Sequence, residues 1–241
     1  MKIKEVISYL ENIVPLAYQE SYDNCGLIVG DENAVINAVL ITLDCTELIV
    51  DEAIENGCDF IIAHHPIIFN GLKKINGSNY IERTIIKAIK NNIAIYAMHT
   101  NLDNIHGGVS FQIAKKILLQ NTKILKPKTN LFSQLSVYCP AAYTSEVQNA
   151  LFASGAGRVG DFYDRCSFFS KGMGSFRPLA GAKPFTGSIG EESSSEEDKI
   201  EVIFYSYLKS KILSTLSDVH PYEEVAYTCN EIDIPSPCGS G

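Results

Sequence analysis

Two short stretches hold most of the side chains able to do chemistry. His64 and His65 stand side by side before Pro66, and His99 is followed four residues on by Asp103 in His99-Thr-Asn-Leu-Asp103. Imidazole with carboxylate suits zinc, iron or manganese, and the absence of thiolates there argues against a soft copper(I) or iron–sulfur site. Inside a strand, two neighbouring histidines point to opposite faces. At a strand end that geometry relaxes, and Pro66 keeps His65 extended. The two imidazoles can then serve neighbouring metal ions, with the Asp103 carboxylate bridging them. His99 reads as a group that orients a ligand. The competing reading makes the histidine pair a polar strand terminus that caps backbone groups, and Asp103 a turn residue. The joint placement of the clusters favours the metal.

That placement depends on the surrounding elements. Helical spacing runs over Lys4 to Val14, Glu47 to Asn56 (stopped by Gly57), Ile81 to Lys90 and Val109 to Leu119. Apolar strand runs cover Leu27 to Val29, Ala38 to Leu43, Phe60 to Ala63 and Ile93 to Met98. Such an alternation predicts an α/β domain over residues 1–126, with a mostly parallel sheet and helices on both faces. Ligands of such sheets bind at the carboxyl ends of the strands, where His64, His65, His99 and Asp103 should converge. Asn24 lies just before the strand at Leu27.

Lys126-Pro127-Lys128 reads as a hinge into a region of different character. Strand patterns at Leu135 to Tyr138, Lys199 to Tyr205 and Val225 to Cys229 accompany helices at Thr144 to Ala153 and Lys209 to Leu216. Between the helices lies a stretch dense in glycine and aromatics, suited to hairpins, and Glu191 to Asp198 reads as a solvated acidic loop. A β-α-β-β-α-β order gives residues 127–234 a ferredoxin-like α+β arrangement. Gly155-Ala-Gly-Arg-Val-Gly160 imitates a dinucleotide fingerprint but follows a helix, which fails the test for such a site.

Charge and composition bound the function. The 241 residues carry 20 Lys and Arg against 28 Asp and Glu, a net charge of -8 that argues against a sequence-independent grip on nucleic acid. No apolar stretch is long enough to span a membrane. Seven dispersed cysteines without a CxxC pair, and an N-terminus without an apolar signal core, point to reduced thiols and a cytoplasmic location.

Ser21-Tyr-Asp-Asn24-Cys-Gly26-Leu-Ile-Val-Gly30, Ala63-His64-His65-Pro66-Ile-Ile-Phe69 and His99-Thr-Asn-Leu-Asp103 resemble the three N-terminal motifs of the Nif-three-like family, whose bacterial members are often named GTP cyclohydrolase 1 type 2 homologues. Gly155 to Gly160, Cys166-Ser-Phe, Gly172-Met-Gly-Ser-Phe176-Arg-Pro178, Gly181 to Gly187 and His220-Pro-Tyr-Glu-Glu-Val-Ala-Tyr227 are similar to the insert of the longer members, itself like the PII and CutA proteins. The resemblance implies a toroidal homohexamer with two divalent ions per subunit. His64 and His65 would be ligands, Asp103 a bridging ligand, and His99 a proton relay beside the metals. Longer relatives continue into a second α/β half that supplies a further histidine and, four residues on, a glutamate; residues 235–241 fall about where that half would begin. His220 and Glu224 share that spacing but read as part of the insert's own strand–turn. The implied activity is metal-dependent hydrolysis of a small-molecule or nucleotide substrate, for which opening of the GTP purine ring is chemically suitable. The alternative is a non-catalytic metal-binding regulator or scaffold assembled through the PII-like region.

Overall fold

An apolar stripe along the first turns folds into α1 (Ile3–Ile13), whose Ile3, Val6, Ile7 and Leu10 pack against one face of a four-stranded sheet. The structure is a computed structural model that describes residues 1–160, 162–234 and 236–240. It divides into two compact units, Met1–Lys128 with Pro237–Gly241, and Thr129–Ser236. Pro235 and Gly241, within the tail expected at 235–241, lie outside the described residues.

The first unit continues through β1 (Gly26–Val29), β2 (Val39–Thr42), α2 (Glu47–Glu55), β3 (Phe60–Ala63), α3 (Tyr80–Lys90) and β4 (Ala94–Ala97). Helices α4 (Thr100–Asn104) and α5 (Val109–Lys116) follow. The sheet order is β1-β4-β3-β2, with β2, β3 and β4 parallel and in register Val39↔Phe60↔Ala94. Strand β1 runs antiparallel to β4 along the edge, so the sheet is mostly parallel and not wholly so. Alternation divides the strand side chains between two layers. Ile61, Ala63 and Ile95 meet Val50 and Ala53 of α2 and Ile85 and Ala88 of α3, while Phe60, Ala94 and Tyr96 face α1. Thr46 caps α2 by accepting from Ile49 N, and Asn79 caps α3 by accepting from Glu82 N. Gly30 must be glycine: at φ +116° its Cβ would lie 2.5 Å from Ala94 Cβ and 2.8 Å from Ala94 Cα.

Lys126-Pro127 is not a bare hinge. It forms the short strand β5 (Lys126–Pro127), paired antiparallel with Gly239–Ser240. That pairing supplies the backbone partners which a purely local reading of the sequence cannot see.

The second unit runs β6 (Phe132–Pro140), α6 (Thr144–Ser154), β7 (Ser167–Phe176), β8 (Ser193–Tyr205), α7 (Lys209–Val219) and β9 (Tyr227–Ile232). Its antiparallel sheet has the order β7-β8-β6-β9, the ferredoxin-like arrangement. Leu135, Val137, Ile200, Val202 and Phe204 bury one sheet face against Val147 and Leu151 of α6 and Ile212 and Leu216 of α7. The acidic run expected as a loop is instead mostly strand, because β8 begins at Ser193 and pairs with β7 as far as Phe176↔Ser193. Strand alternation turns Asp198 inward, only 4% exposed, where its Oδ2 accepts from Thr144 Oγ1 at 2.6 Å. No helix among the described residues is long and apolar enough to cross a membrane.

Candidate metal centre

The parallel ladder carries on past β3. His64 N donates to Thr42 O and His65 N to Leu43 O, which holds the pair extended at the sheet's carboxyl edge. One strand over, Met98 N donates to Ala63 O, and the chain then enters α4 at His99. The His99 carbonyl accepts from Asp103 N, so one helical turn brings Asp103 back over the site. The result is a triangle of imidazoles. Ring centroids of His64 and His65 are 5.0 Å apart, of His64 and His99 5.2 Å, and of His65 and His99 5.4 Å. One potential ligand atom from each lies within 4.8 Å of the others. Asp103 Oδ1 stands 3.7 Å from His64 Nε2.

Each ring is held from behind. His64 Nδ1 lies 2.8 Å from Met98 O, a carbonyl that can only accept, so Nδ1 carries the proton. His65 Nδ1 meets Asp44 Oδ1 at 2.7 Å and His99 Nδ1 meets Asp23 Oδ1 at 2.9 Å, again N–H to carboxylate. With all three protons on Nδ1, each Nε2 keeps its lone pair. A backing carboxylate or carbonyl is the arrangement that fixes the tautomer and raises the basicity of a metal-bound histidine. Three carboxylates, Asp23, Asp44 and Asp103, stand against the three rings and supply negative charge that a divalent cation would balance. The donor set therefore fits metal ions.

Asp23 is the anchor. Its side chain is fully buried. Besides His99 it accepts from Asn24 N at 2.7 Å, Thr100 N at 2.9 Å, the Thr100 hydroxyl and the Cys25 thiol. Burial alone would push its pKa up, but the bonds from Thr100, His99 and Cys25 outweigh burial and hold the carboxyl well below the usual range. Burial pushes the Cys25 thiol up to about 11, so it stays protonated and supplies no thiolate. Asn24 donates through Nδ2 to Ile68 O at 2.7 Å, tying down the segment beyond Pro66. Phe69 from that segment lies with its ring 6.3 Å from that of His99.

The sequence-derived residues His64, His65, His99 and Asp103 thus meet in one place, with His99 nearly as close to the other rings as they are to each other. Sequence reasoning missed Asp23, Asp44 and the Met98 carbonyl. His220 does not join them: its Nε2 donates to Tyr138 O at 3.0 Å and its Nδ1 accepts from Tyr222 N at 3.1 Å, which occupies both ring nitrogens.

A mostly parallel α/β sheet with backed histidines at its carboxyl edge, joined to a ferredoxin-like unit, defines the class: an α/β protein with a candidate metal centre. The Duf34/NIF3 (NGG1p interacting factor 3) family matches over residues 1–179, and the chain belongs to that family. It is 41% identical over 240 residues to a Bacillus subtilis protein named GTP cyclohydrolase 1 type 2 homolog, covering 99% of this chain and 64% of that one. A Halalkalibacterium halodurans protein of the same name is 42% identical over 223 residues, covering 92% of this chain and 60% of its own. The crystal structure of a Bacillus cereus protein related to NIF3 superposes with a TM-score of 0.81 at 40% identity, covering 99% of this chain and 63% of that one. The chain therefore spans less than two thirds of the length of these relatives.

Proposed function

We propose that this chain carries the metal-holding part of a metal-dependent hydrolase of the kind its relatives are named for, with two divalent ions at the histidine cluster. The supporting observation is the set of three imidazoles, each with Nδ1 tied to an acceptor behind it and a ring nitrogen presented to a common space. When bound, the ions supply Lewis acidity, acidifying water and polarising the bond to be cut. The chain's own residues hold that site in shape. Asp44, the Met98 carbonyl and Asp23 fix the rings of His65, His64 and His99. Asp103, on α4, places a carboxylate beside His64 that would help hold the ions. His99 Nε2 faces the same space and would hold an ion beside His64 and His65, so the proton-relay role implied by the resemblance would require that nitrogen to be free of metal.

Metal content per chain, measured by elemental analysis on protein purified without chelators, tests the reading, together with turnover of GTP and of generic ester, amide and phosphate substrates. Near two ions with turnover that is lost in His65→Ala supports it. The His65 side chain is 46% exposed, so that variant should fold normally. Tightly held metal without turnover of any of these substrates would favour the binding-only alternative, and no metal at all would refute both.

A further inference from the structure

Three glycine- and aromatic-rich blocks of the second unit, Gly172 to Pro178, Gly181 to Gly187 and His220 to Tyr227, play no part in the histidine cluster. They close around one cleft of about 610 Å³. Its base is the Glu197 carboxylate, whose Oε1 accepts from Tyr222 Oη at 2.7 Å and from Ser195 Oγ at 3.3 Å. Gly174 on β7 is what gives the carboxylate room, because a Cβ there would lie 2.3 Å from Glu197 Oε2. Tyr222 is fixed in turn through its backbone N–H to His220, which is itself anchored on Tyr138 O.

The wall is aromatic. Phe185 packs with its ring 5.8 Å from Tyr222 and 5.7 Å from Tyr143, and Phe176 also lines the cleft. The loop that carries Phe185 is fastened to the His220–Tyr227 block, where Lys183 N donates to Glu223 Oε2 at 2.7 Å. Among the lining residues are three carboxylates, Glu197, Glu223 and Glu224, and one basic side chain, Arg177. A cleft with an apolar, π-faced wall and a net negative polar end selects against phosphates and carboxylates. It suits a flat body bearing a positive hydrogen-bond donor, which gains both charge-assisted bonds to carboxylate and attraction to ring faces.

We propose that this cleft binds a small organic cation, an amine, amidine or guanidine on a flat or apolar body, with its charged head at Glu197 and its body against Phe185 and Phe176. The site lies wholly within the second unit and does not depend on the metal reading.

Benzamidine is the probe, titrated into the full chain by calorimetry and by amide chemical-shift mapping, with benzamide and benzoate as neutral and anionic controls of the same shape. The expected result is saturable binding, with shifts confined to the cleft and an affinity at least ~10-fold above that of benzamide, falling ~10-fold or more in Glu197→Gln. Glu224→Gln changes an exposed side chain, so it keeps the fold should Glu197→Gln fail to, and it should weaken benzamidine by ~2-fold or more. Benzamidine binding no better than benzamide, benzoate binding better than either, or unchanged affinity in Glu224→Gln would each overturn the assignment.

Discussion

Replacing Asp23 by Asn removes one charge and turns one acceptor oxygen into a donor, while leaving the shape of the side chain intact. Oδ1 now takes the His99 ring and Asn24 N, and Oδ2 takes Thr100 N, the Thr100 hydroxyl and the Cys25 thiol. An amide can satisfy only one of these groups. Keeping its oxygen on the three donors around Thr100 and Cys25 sets its NH2 against His99 Nδ1–H and Asn24 N–H. The side chain is fully buried, so no water relieves the clash of donors. Losing charge-assisted bonds and leaving buried donors unpaired should cost about 2–4 kcal/mol of folding stability. Freed from its acceptor, His99 turns or changes tautomer, and loss of such a backing group lowers metal affinity by ~10–100-fold. The assay is a zinc titration against a chromophoric chelator, paired with urea denaturation. Asp59→Asn is the control: Asp59 also accepts from a neighbour's backbone and amide, those of Asn37, but at the amino end of β3, away from the rings. It should cost stability and leave zinc affinity unchanged. If Asp23→Asn binds zinc as tightly as the parent, or if Asp59→Asn loses as much affinity, the backing-group argument is wrong.

Two further outcomes follow from the packing. Gly30→Ala drives a methyl into Ala94 at a positive φ, and should cost the first unit about 2–4 kcal/mol in urea denaturation; a loss near zero would mean that the β1–β4 edge shifts freely. His220 is buried and its pKa is pushed below the ordinary 6.5, first by desolvation. A depressed histidine binds its proton more readily unfolded than folded. Its contribution is therefore complete above pH 6.5 and is lost as the pH falls from there toward the folded value. The second unit should lose stability as the pH falls below about 6.5, and His220→Gln should flatten that dependence; an unchanged slope in the variant refutes the assignment to His220.

The fold was legible where one element supplies its own signal. The span Phe60–Ala63 stands as read, and α2 and α3 begin within a residue of where helical spacing places them. The order of the second unit was legible too, although β7 was read only as glycine- and aromatic-rich sequence suited to hairpins, because its residues show no alternating burial. What failed was strand formed by polar residues. Ser193 to Asp198 has no apolar alternation, and its pairing with β7, joined by β6 at Glu197 and Asp198, makes it strand. Likewise β5 exists only because Gly239–Ser240 lies beside it.

The site follows the same division, with one instructive twist. His64, His65 and His99 were found by looking at the carboxyl ends of parallel strands, and the same rule applied to β2 leads to Asp44, two residues past Thr42. Asp23 escapes that rule because it precedes its strand. In an all-parallel sheet, the residues before β1 would lie at the far edge, away from the rings. But β1 runs antiparallel, pairing Gly26 with Ala97, so its amino end arrives at the carboxyl ends of β3 and β4. Strand direction thus decides which residues can back the histidines. The reversed edge strand is what lets Asp23 reach His99 across 76 positions of sequence.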